Sequence, residues 1–385
     1  MRVMHITRTF LHRTETFIYT QLTHLPPEKA LVLACEAQNQ DRFPGINFRA
    51  YNLEPESWKK RWSVINYRFL RRATRYERQY YIGELRNLKP DLLHAHFAVD
   101  AAYFSELWRQ SKKPLIVSCY GYDVSSFPNR YLGWGRRYLQ PVWRYATLVL
   151  AMSNDMREDL LRIGCPDEKI RIHYHGINLT RFNFIERELK PSPIRLLFVG
   201  GLANRKGVED VLRAFSKLAQ QRPHLELRIV GAGYLRDSLE QMVHTWGLNN
   251  RVSFAGFVPH EKVQDELTHA HIFCHPSWTL KNGDKEGIPG TIVEAMATGL
   301  PIVTTKHAGI PEMVRDGEDG YVVTERDIDA IAGAIMNLVD NPERRILMGR
   351  NAALQARQKA DAIHLTQELE AIYSEVLDSE NIKNS

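Results

Sequence analysis

The segment Ile194-Arg-Leu-Leu-Phe-Val199-Gly200-Gly201-Leu202-Ala-Asn-Arg205-Lys206-Gly207 runs from unbroken apolar residues into glycines, then two cations, then a helical pattern over Gly207–Gln221. A short apolar run closed by glycine reads as a strand buried on both faces. A strand that turns through glycine into a helix is a βα unit. The alternation continues in both directions. Upstream, Val3–Ile6, Ala30–Ala34, Asp91–His96, Pro114–Cys119, Thr147–Met152 and Lys169–Tyr174 read as strands. Between them Glu15–His24, Trp58–Leu88, Ala101–Gln110, Trp134–Tyr145 and Asp155–Ile163 read as helices. Downstream, strands at Leu225–Val230, Val252–Phe254, Ile272–His275, Ile302–Thr304 and Tyr321–Val323 alternate with helices near Tyr234–Trp246, His260–His269, Thr291–Thr298 and Asp327–Val339. Two long polar helices, Pro342–Lys359 and His364–Leu377, end the chain. The pattern predicts an α/β protein with mostly parallel sheets covered by helices on both faces.

A chain of 385 residues exceeds one ordinary core and fits two domains. Glu186–Pro193 is charged, holds two prolines and precedes the strand at Ile194, which places the boundary there. The expected division is 1–188, 189–360 and a terminal segment 361–385. Doubly wound sheets bind ligands beyond the carboxyl ends of their strands, so a cleft between two of them is the expected site. A net charge of +6 favours an anionic partner, whether nucleotide, phospholipid or nucleic acid. Nucleic acid is disfavoured, because the chain has no zinc knuckle, recognition helix or aromatic RNA-binding signature. Cys35, Cys119, Cys165 and Cys274 lack CxxC spacing, which argues against a disulfide framework or structural zinc and for a reducing cytosol. Met1–Ile6 reads as a strand rather than a signal peptide, and no apolar run is long enough to span a membrane. The histidines show no HExxH or comparable spacing, so no metal is expected.

The chemistry concentrates in Glu286-Gly-Ile-Pro-Gly290-Thr-Ile-Val-Glu294-Ala-Met-Ala-Thr-Gly299-Leu-Pro301. Gly299 followed by Pro301 is a helix stop, so the helix starts near Gly290, with Glu286 in the loop before it and Glu294 a turn inside. The amides of Gly290, Thr291 and Ile292 then form a partly positive helix terminus suited to a pyrophosphate. The two carboxylates can accept from sugar hydroxyls; the bland alternative is a helix with acids in its first turns. Gly200 and Gly201 let a backbone approach phosphate, and Arg205 and Lys206 add charge-assisted donors. Gly231, in Val230-Gly231-Ala232-Gly233, and the Gly256-Phe257-Val258 turn are nucleotide-loop candidates or plain tight turns.

In the first half, Thr14-Glu15 starts a helix as an N-cap, and Asp91-Leu-Leu-His94-Ala-His96 ends a strand on a histidine that could face a ligand or pack. Cys119-Tyr120-Gly121-Tyr122-Asp123 follows the next strand, and Tyr120 can hydrogen-bond or stack on a sugar. The first βα turn, Ile6–Arg13, has no glycine, which disfavours a dinucleotide oxidoreductase. Trp58–Arg78 carries Lys59, Lys60, Arg61, Arg68, Arg71, Arg72, Arg75 and Arg78 among aromatic residues. It reads either as a helix at an anionic membrane surface or as a solvated helix with aromatic core contacts.

These motifs resemble those of glycosyltransferase family 4, retaining enzymes of the GT-B fold, over almost the whole chain. The colanic-acid and exopolysaccharide branch is nearest, through Glu286-Gly-Ile-Pro289 and the turn Lys306-His-Ala-Gly-Ile310-Pro311-Glu312. The resemblance implies two Rossmann-like doubly wound domains facing a cleft, with the last helix crossing back to the first. It implies that Glu286 contacts the hexose and Glu294 the ribose, with Lys206 on the pyrophosphate. Arg205 would replace the arginine that relatives carry at the position of Gly201. Gly231, Phe257 and Val258 would lie near the nucleotide, and His96 would face the donor sugar, making Glu286, Lys206 and His96 the catalytic candidates. Thr14, Glu15, Tyr120 and Asp123 fall on the acceptor side; Tyr120 stands where relatives carry histidine, so no catalytic role passes to it. The implied reaction is metal-free, cofactor-free retaining transfer of a hexose from a nucleotide sugar, UDP-linked in preference to GDP-linked. The implied acceptor is a polysaccharide or lipid-linked glycan, and the implied place is the cytoplasm, peripheral to the membrane through 58–78. The rival readings are a nucleotide-sugar epimerase or hydrolase on the same fold, and a non-catalytic membrane-associated partner in polysaccharide assembly.

Overall fold

The computed structural model describes residues 1–10, 16–51, 58–69 and 71–384. The chain divides into two compact units, Met1–Gly176 with the chain from Ala362 onward, and Ile177–Asp361. In the first unit the strands are β1 (Val3–Phe10), β2 (Leu31–Ala37), β3 (Phe48–Ala50), β4 (Leu92–His96), β5 (Leu115–Ser118), β6 (Leu148–Ala151) and β7 (Ile170–Ile172). They form one parallel sheet in the order β3-β2-β1-β4-β5-β6-β7. Its helices are α1 (Thr16–His24), α2 (Trp58–Phe69), α3 (Arg75–Leu88), α4 (Ala98–Tyr103), α5 (Ser105–Ser111), α6 (Arg130–Tyr145) and α7 (Asn154–Arg162).

The second unit repeats the scheme with β8 (Ile194–Val199), β9 (Leu225–Val230), β10 (Val252–Gly256), β11 (Ile272–His275), β12 (Ile302–Thr305) and β13 (Gly320–Val323), ordered β10-β9-β8-β11-β12-β13. Its helices are α8 (Val208–Ala219), α9 (Arg236–Thr245), α10 (His260–Thr268), α11 (Gly290–Ala297), α12 (Ile310–Met313), α13 (Ile328–Asp340) and α14 (Pro342–Ala360). The last helix, α15 (Ala362–Asn384), belongs to the first unit, where Leu369, Ile372, Tyr373 and Val376 pack with Ile18 and Leu22 of α1 on one face of the sheet.

Apolar runs become the central strands because helices cover both faces, and every residue of β4, β5, β6, β11 and β12 is buried. Leu196, Leu197 and Phe198 of β8 are all fully buried, and each such side chain contributes about 1.5–3 kcal/mol relative to exposure. Both strand orders reverse beside their first strand, between β1 and β4 and between β8 and β11, which is where doubly wound sheets take ligands.

Four details differ from the sequence-based expectation. The first unit closes at Gly176 rather than 188, because Ile177 N–H donates to Ala360 O at 2.9 Å and Phe182 is buried in the second core. The helix expected over Trp58–Leu88 is two helices. Arg71 adopts a left-handed φ of 47°, and Thr74 starts α3 with a capping box: its hydroxyl accepts from Glu77 N–H, and the Glu77 carboxylate accepts from Thr74 N–H. The helix expected over Ala101–Gln110 is likewise the pair α4 and α5. The short strand β3 is an addition that the sequence pattern does not announce.

Candidate functional site

In the second unit the loops leaving β8 and β11 stand side by side at the carboxyl edge of the sheet. Gly207 locks them together: its φ is +70°, and a Cβ there would sit 1.9 Å from the Pro276 carbonyl oxygen. Only glycine fits. Trp278 N–H donates to the Arg205 carbonyl at 3.0 Å. This loop carries both cations onto one carboxylate. Lys206 Nζ donates to Glu286 Oε2 at 2.7 Å, Arg205 Nε donates to Oε1, and Arg205 Nη1 reaches Asp284 Oδ2 at 3.4 Å. Burial pushes the Glu286 carboxyl up, but Lys206 and then Arg205 outweigh it and hold it at about 2. Glu286 is therefore an anion at any working pH.

Its backbone is pinned as well. Glu286 N–H donates to His307 Nε2 at 3.1 Å, so His307 carries its proton on Nδ1 and donates it to Glu325 Oε1 at 2.6 Å. Helix α11 begins four residues after Glu286, at Gly290. Gly290 is exposed and Thr291 half-buried, and as the first two helical residues their amides have no partner within the helix. The expected third amide is not available: Ile292 N–H donates to Pro289 O at 3.0 Å, and Ile292 is fully buried in the core. One turn on, Glu294 is buried; its Oε1 meets His260 Nε2 at 2.7 Å, while its Oε2 is buried without a partner.

The neighbouring loops interlock through glycine. Gly231 N–H donates to Gly256 O at 2.8 Å, and a Cβ on Gly231, at φ +141°, would lie 1.8 Å from Gly200 O. Phe257 is 62% exposed and Val258 packs against the core. Gly201 is exposed, and a Cβ there would come no closer than 3.9 Å to its nearest obstacle, Ala232 O, so a side chain fits.

In the first unit the switch point between β1 and β4 is filled by histidine. His5 and His94 are register partners, and His96 follows two residues on, on the same face. His5 Nε2 lies 2.9 Å from Lys29 O, His5 Nδ1 lies 2.9 Å from His96 Nε2, and His96 Nδ1 lies 2.5 Å from the Tyr120 hydroxyl. A carbonyl can only accept, and this fixes the direction of the whole chain for neutral rings. Tyr120 donates to His96, His96 donates to His5, and His5 donates to Lys29 O. Burial, above all other causes, holds His5 at about 4 and His96 well below the ordinary imidazole value. His94 uses both nitrogens too, on Tyr373 Oη at 2.7 Å and Ser118 Oγ at 2.8 Å. The three imidazoles offer nitrogens within 4.8 Å of one another. Their rings stack, at 16° for His5–His96 and 24° for His94–His96, instead of radiating from a common centre. This is a hydrogen-bonded stack rather than a ligand set.

Two first-unit candidates therefore change role. His96 is 1% exposed with both nitrogens engaged, so it cannot present itself to a sugar; half-buried Tyr120 stands in front of it, against Phe17, Phe97 and His175. Asp123 is fully buried and braces the loop, accepting from the amides of Tyr120, Gly121 and Ala98. Thr14 and Glu15 lie outside the described residues, as do the side chains of Lys60 and Arg68. Helix α2 exposes Trp58, Trp62, Val64 and Ile65. No described helix is long and apolar enough to cross a membrane.

The structure thus brings Arg205, Lys206, Glu286, Gly290, Thr291 and Glu294 together with the glycine loops. It adds His260, His307 and Glu325, which the sequence did not single out. His307 lies inside the quoted turn at 306–312, so that turn was its available signal; His260 had only its place at the start of a helix.

Comparison with known proteins gives two family matches, Glycosyltransferase Family 4 over residues 15–181 and Glycosyl transferases group 1 over residues 180–355. The putative colanic acid biosynthesis glycosyltransferase WcaL of Salmonella typhimurium is 31% identical over 337 residues, covering 82% of this chain and 80% of the relative. The amylovoran biosynthesis glycosyltransferase AmsK of Erwinia amylovora is 37% identical over 191 residues, 50% of this chain and 47% of its own. Among solved structures, Anabaena HepE in complex with UDP matches with a TM-score of 0.81 at 18% identity, over 97% of this chain and 100% of that one. Sucrose-phosphate synthase from Thermosynechococcus elongatus matches with a TM-score of 0.77 at 18% identity, over 98% of this chain and 99% of that one. At such identity these two likenesses speak for the fold.

Proposed function

Because this chain belongs to glycosyltransferase family 4 and has the GT-B fold, we propose that it transfers a hexose, with retention, from a nucleotide sugar to a growing exopolysaccharide or its lipid-linked precursor. The observation that carries the donor reading is the clamp of Lys206 and Arg205 on Glu286, beside the open amides of Gly290 and Thr291. A diphosphate arriving there meets two cations and a helix terminus, which stabilise negative charge on a leaving group as fixed donors do. Glu286, once its cations turn to phosphate, has two oxygens for hexose hydroxyls. The unpartnered Oε2 of Glu294 is suited to a ribose hydroxyl, with His260 holding the other oxygen. UDP is the favoured base carrier, since the similar Anabaena protein was solved with UDP. The acceptor class is supported by the names of the colanic acid and amylovoran relatives. Peripheral contact with the membrane is supported by the exposed Trp58, Trp62, Val64 and Ile65 of a basic helix.

The first test is a thermal-shift screen against UDP-, GDP- and ADP-sugars, because a ligand of the native state raises the melting point. A hit is followed by product analysis with and without glycan acceptor; free sugar as the sole product in both would indicate a hydrolase. Since Lys206, Arg205 and the α11 terminus already supply positive charge, activity is expected to survive excess EDTA. Loss of turnover in EDTA with recovery on adding manganese would sink the metal-free reading.

A further inference from the structure

The first unit carries a second strongly cationic feature, unrelated to the donor loops. A concavity of about 640 Å³ lies along the carboxyl-terminal half of α6, between α5 and the loop before β7. Three arginines line it, Arg72, Arg137 and Arg144. Among the described residues none of the three guanidinium groups has a hydrogen-bonding or ion-pairing partner. The carboxylate in the same wall, Glu106, is taken by Arg109 at 2.8 Å.

The helix dipole does not account for this set. Cations do favour a helix carboxyl terminus, but that end of α6 is already served by Lys169, whose ammonium donates to the carbonyls of Trp143 at 2.9 Å and Ala146 at 2.8 Å. Arg137 sits two turns further back, and Arg72 comes from a different part of the chain. A second observation is independent of charge. Trp143 shares the wall, is 3% exposed, and its indole N–H is buried with no acceptor. A buried donor left unmade is uncommon in folded chains.

We propose that this concavity is a binding site for a phosphate group, held by Arg137, Arg144 and Arg72, with Trp143 in its wall as a reporter. The donor set selects the chemistry. Three planar forks offer more hydrogen bonds than one carboxylate can accept, whereas the oxygens of a phosphate match forks in pairs. The phosphate can come from a lipid headgroup, given the exposed aromatic and aliphatic side chains of α2 in the same unit, or from a soluble phosphate. The proposal does not depend on the donor reading, since its residues all belong to the other unit.

The test reads the Trp143 indole resonance, assigned with Trp143→Phe, while inorganic phosphate and pyrophosphate are titrated at low ionic strength. A parallel sedimentation assay uses vesicles of phosphatidylglycerol and of phosphatidylcholine. The expected result is a saturable shift of that resonance, or binding to phosphatidylglycerol alone, weakened at least tenfold in Arg137→Gln/Arg144→Gln. Both arginines are exposed, so the variant should keep the wild-type circular dichroism and melting point, and Arg137→Lys/Arg144→Lys should fall between. A shift with inorganic phosphate and variant-insensitive vesicle binding assigns a soluble phosphate; variant-sensitive vesicle binding assigns a headgroup. No shift together with no arginine-dependent vesicle binding, or equal affinity in wild type and the Gln variant, overturns the site.

Discussion

Lys206 gives its ammonium to Glu286 at 2.7 Å, so a diphosphate arriving beside Gly290 must compete for it. Removing it deletes a charge-assisted contact of about 1.5–3 kcal/mol to the leaving group. Lys206→Ala should therefore lower kcat/KM roughly 10–100-fold and leave folding intact, since Arg205 still pairs with Glu286. Wild-type kinetics with every nucleotide sugar tried would remove Lys206 from the site. At Tyr120 the expectation concerns stability. Tyr120→Phe keeps the ring contacts with Phe17, Phe97 and His175 but orphans the buried His96 Nδ1, which costs about 1–3 kcal/mol. Thermal unfolding should show a drop of several degrees, and an unchanged midpoint would mean that the phenol is not the donor to His96. The two residues also mark what a sequence can disclose. Glu286, Glu294 and Lys206 were legible because a motif holds them at fixed spacing in one segment or loop. The partners His260–Glu294 lie 34 residues apart, and His5–His96 lie 91 apart. No local spacing rule links such pairs; only the sheet order brings them together, and so the burial of His96 behind Tyr120 was invisible.

The elements were easier to read than their joins. The buried strands that build each sheet are apolar runs, and the stop at Gly299 placed α11 correctly, whereas β3 is only Phe48–Ala50 and has too little pattern to register. The break between α2 and α3 was written in Thr74-Arg75-Tyr76-Glu77, a capping-box spacing masked by the basic-aromatic character on both sides. At the donor edge, the joins carry the function. The β8–α8 loop can reach Glu286 only because Gly207 lets it press on Pro276, while Gly201, six residues earlier, meets nothing closer than 3.9 Å. Gly207→Ala should thus be costly, through both a left-handed φ and a backbone collision, by about 2 kcal/mol or more, and should weaken donor binding by misplacing Lys206. Gly201→Ala should stay within about 0.5 kcal/mol of wild type, as surface changes usually do. Chemical denaturation of both variants checks the contrast; equal stability would mean that the two loops are not locked as described.

At the scale of the whole molecule, the two units differ in how much buried imidazole they hold. In the first, His5, His94, His96, His173 and His175 are all held below the ordinary value of 6.5, each chiefly by burial. Among the described residues of the second, two are so placed, His271 at about 4 and His275 at about 3. Unfolding returns such a group to about 6.5, so below that pH the unfolded unit binds more protons and stability falls as the pH drops towards the folded value. For His5, at about 4 when folded, the loss by pH 5 is about 2 kcal/mol. Several such losses in one unit approach the roughly 5–15 kcal/mol that holds a domain together. Asp100 and Asp123 in the first unit and Asp210 in the second, raised mainly by burial, shift the opposite way and offset part of this. Glu286, depressed to about 2, gives up its contribution only as the pH falls below about 4.5. Acidification should therefore unfold the first unit near pH 5 while the second still holds, a two-step loss instead of one transition. Hydrogen exchange read by mass spectrometry, corrected for the intrinsic pH dependence of exchange, distinguishes the units by peptide. Protection should vanish from the sheet strands β1, β4 and β5 at a higher pH than from β8, β9 and β11. Simultaneous loss in both sets, or earlier loss in the second, would show that the histidine stack is not what limits the acid stability of this chain.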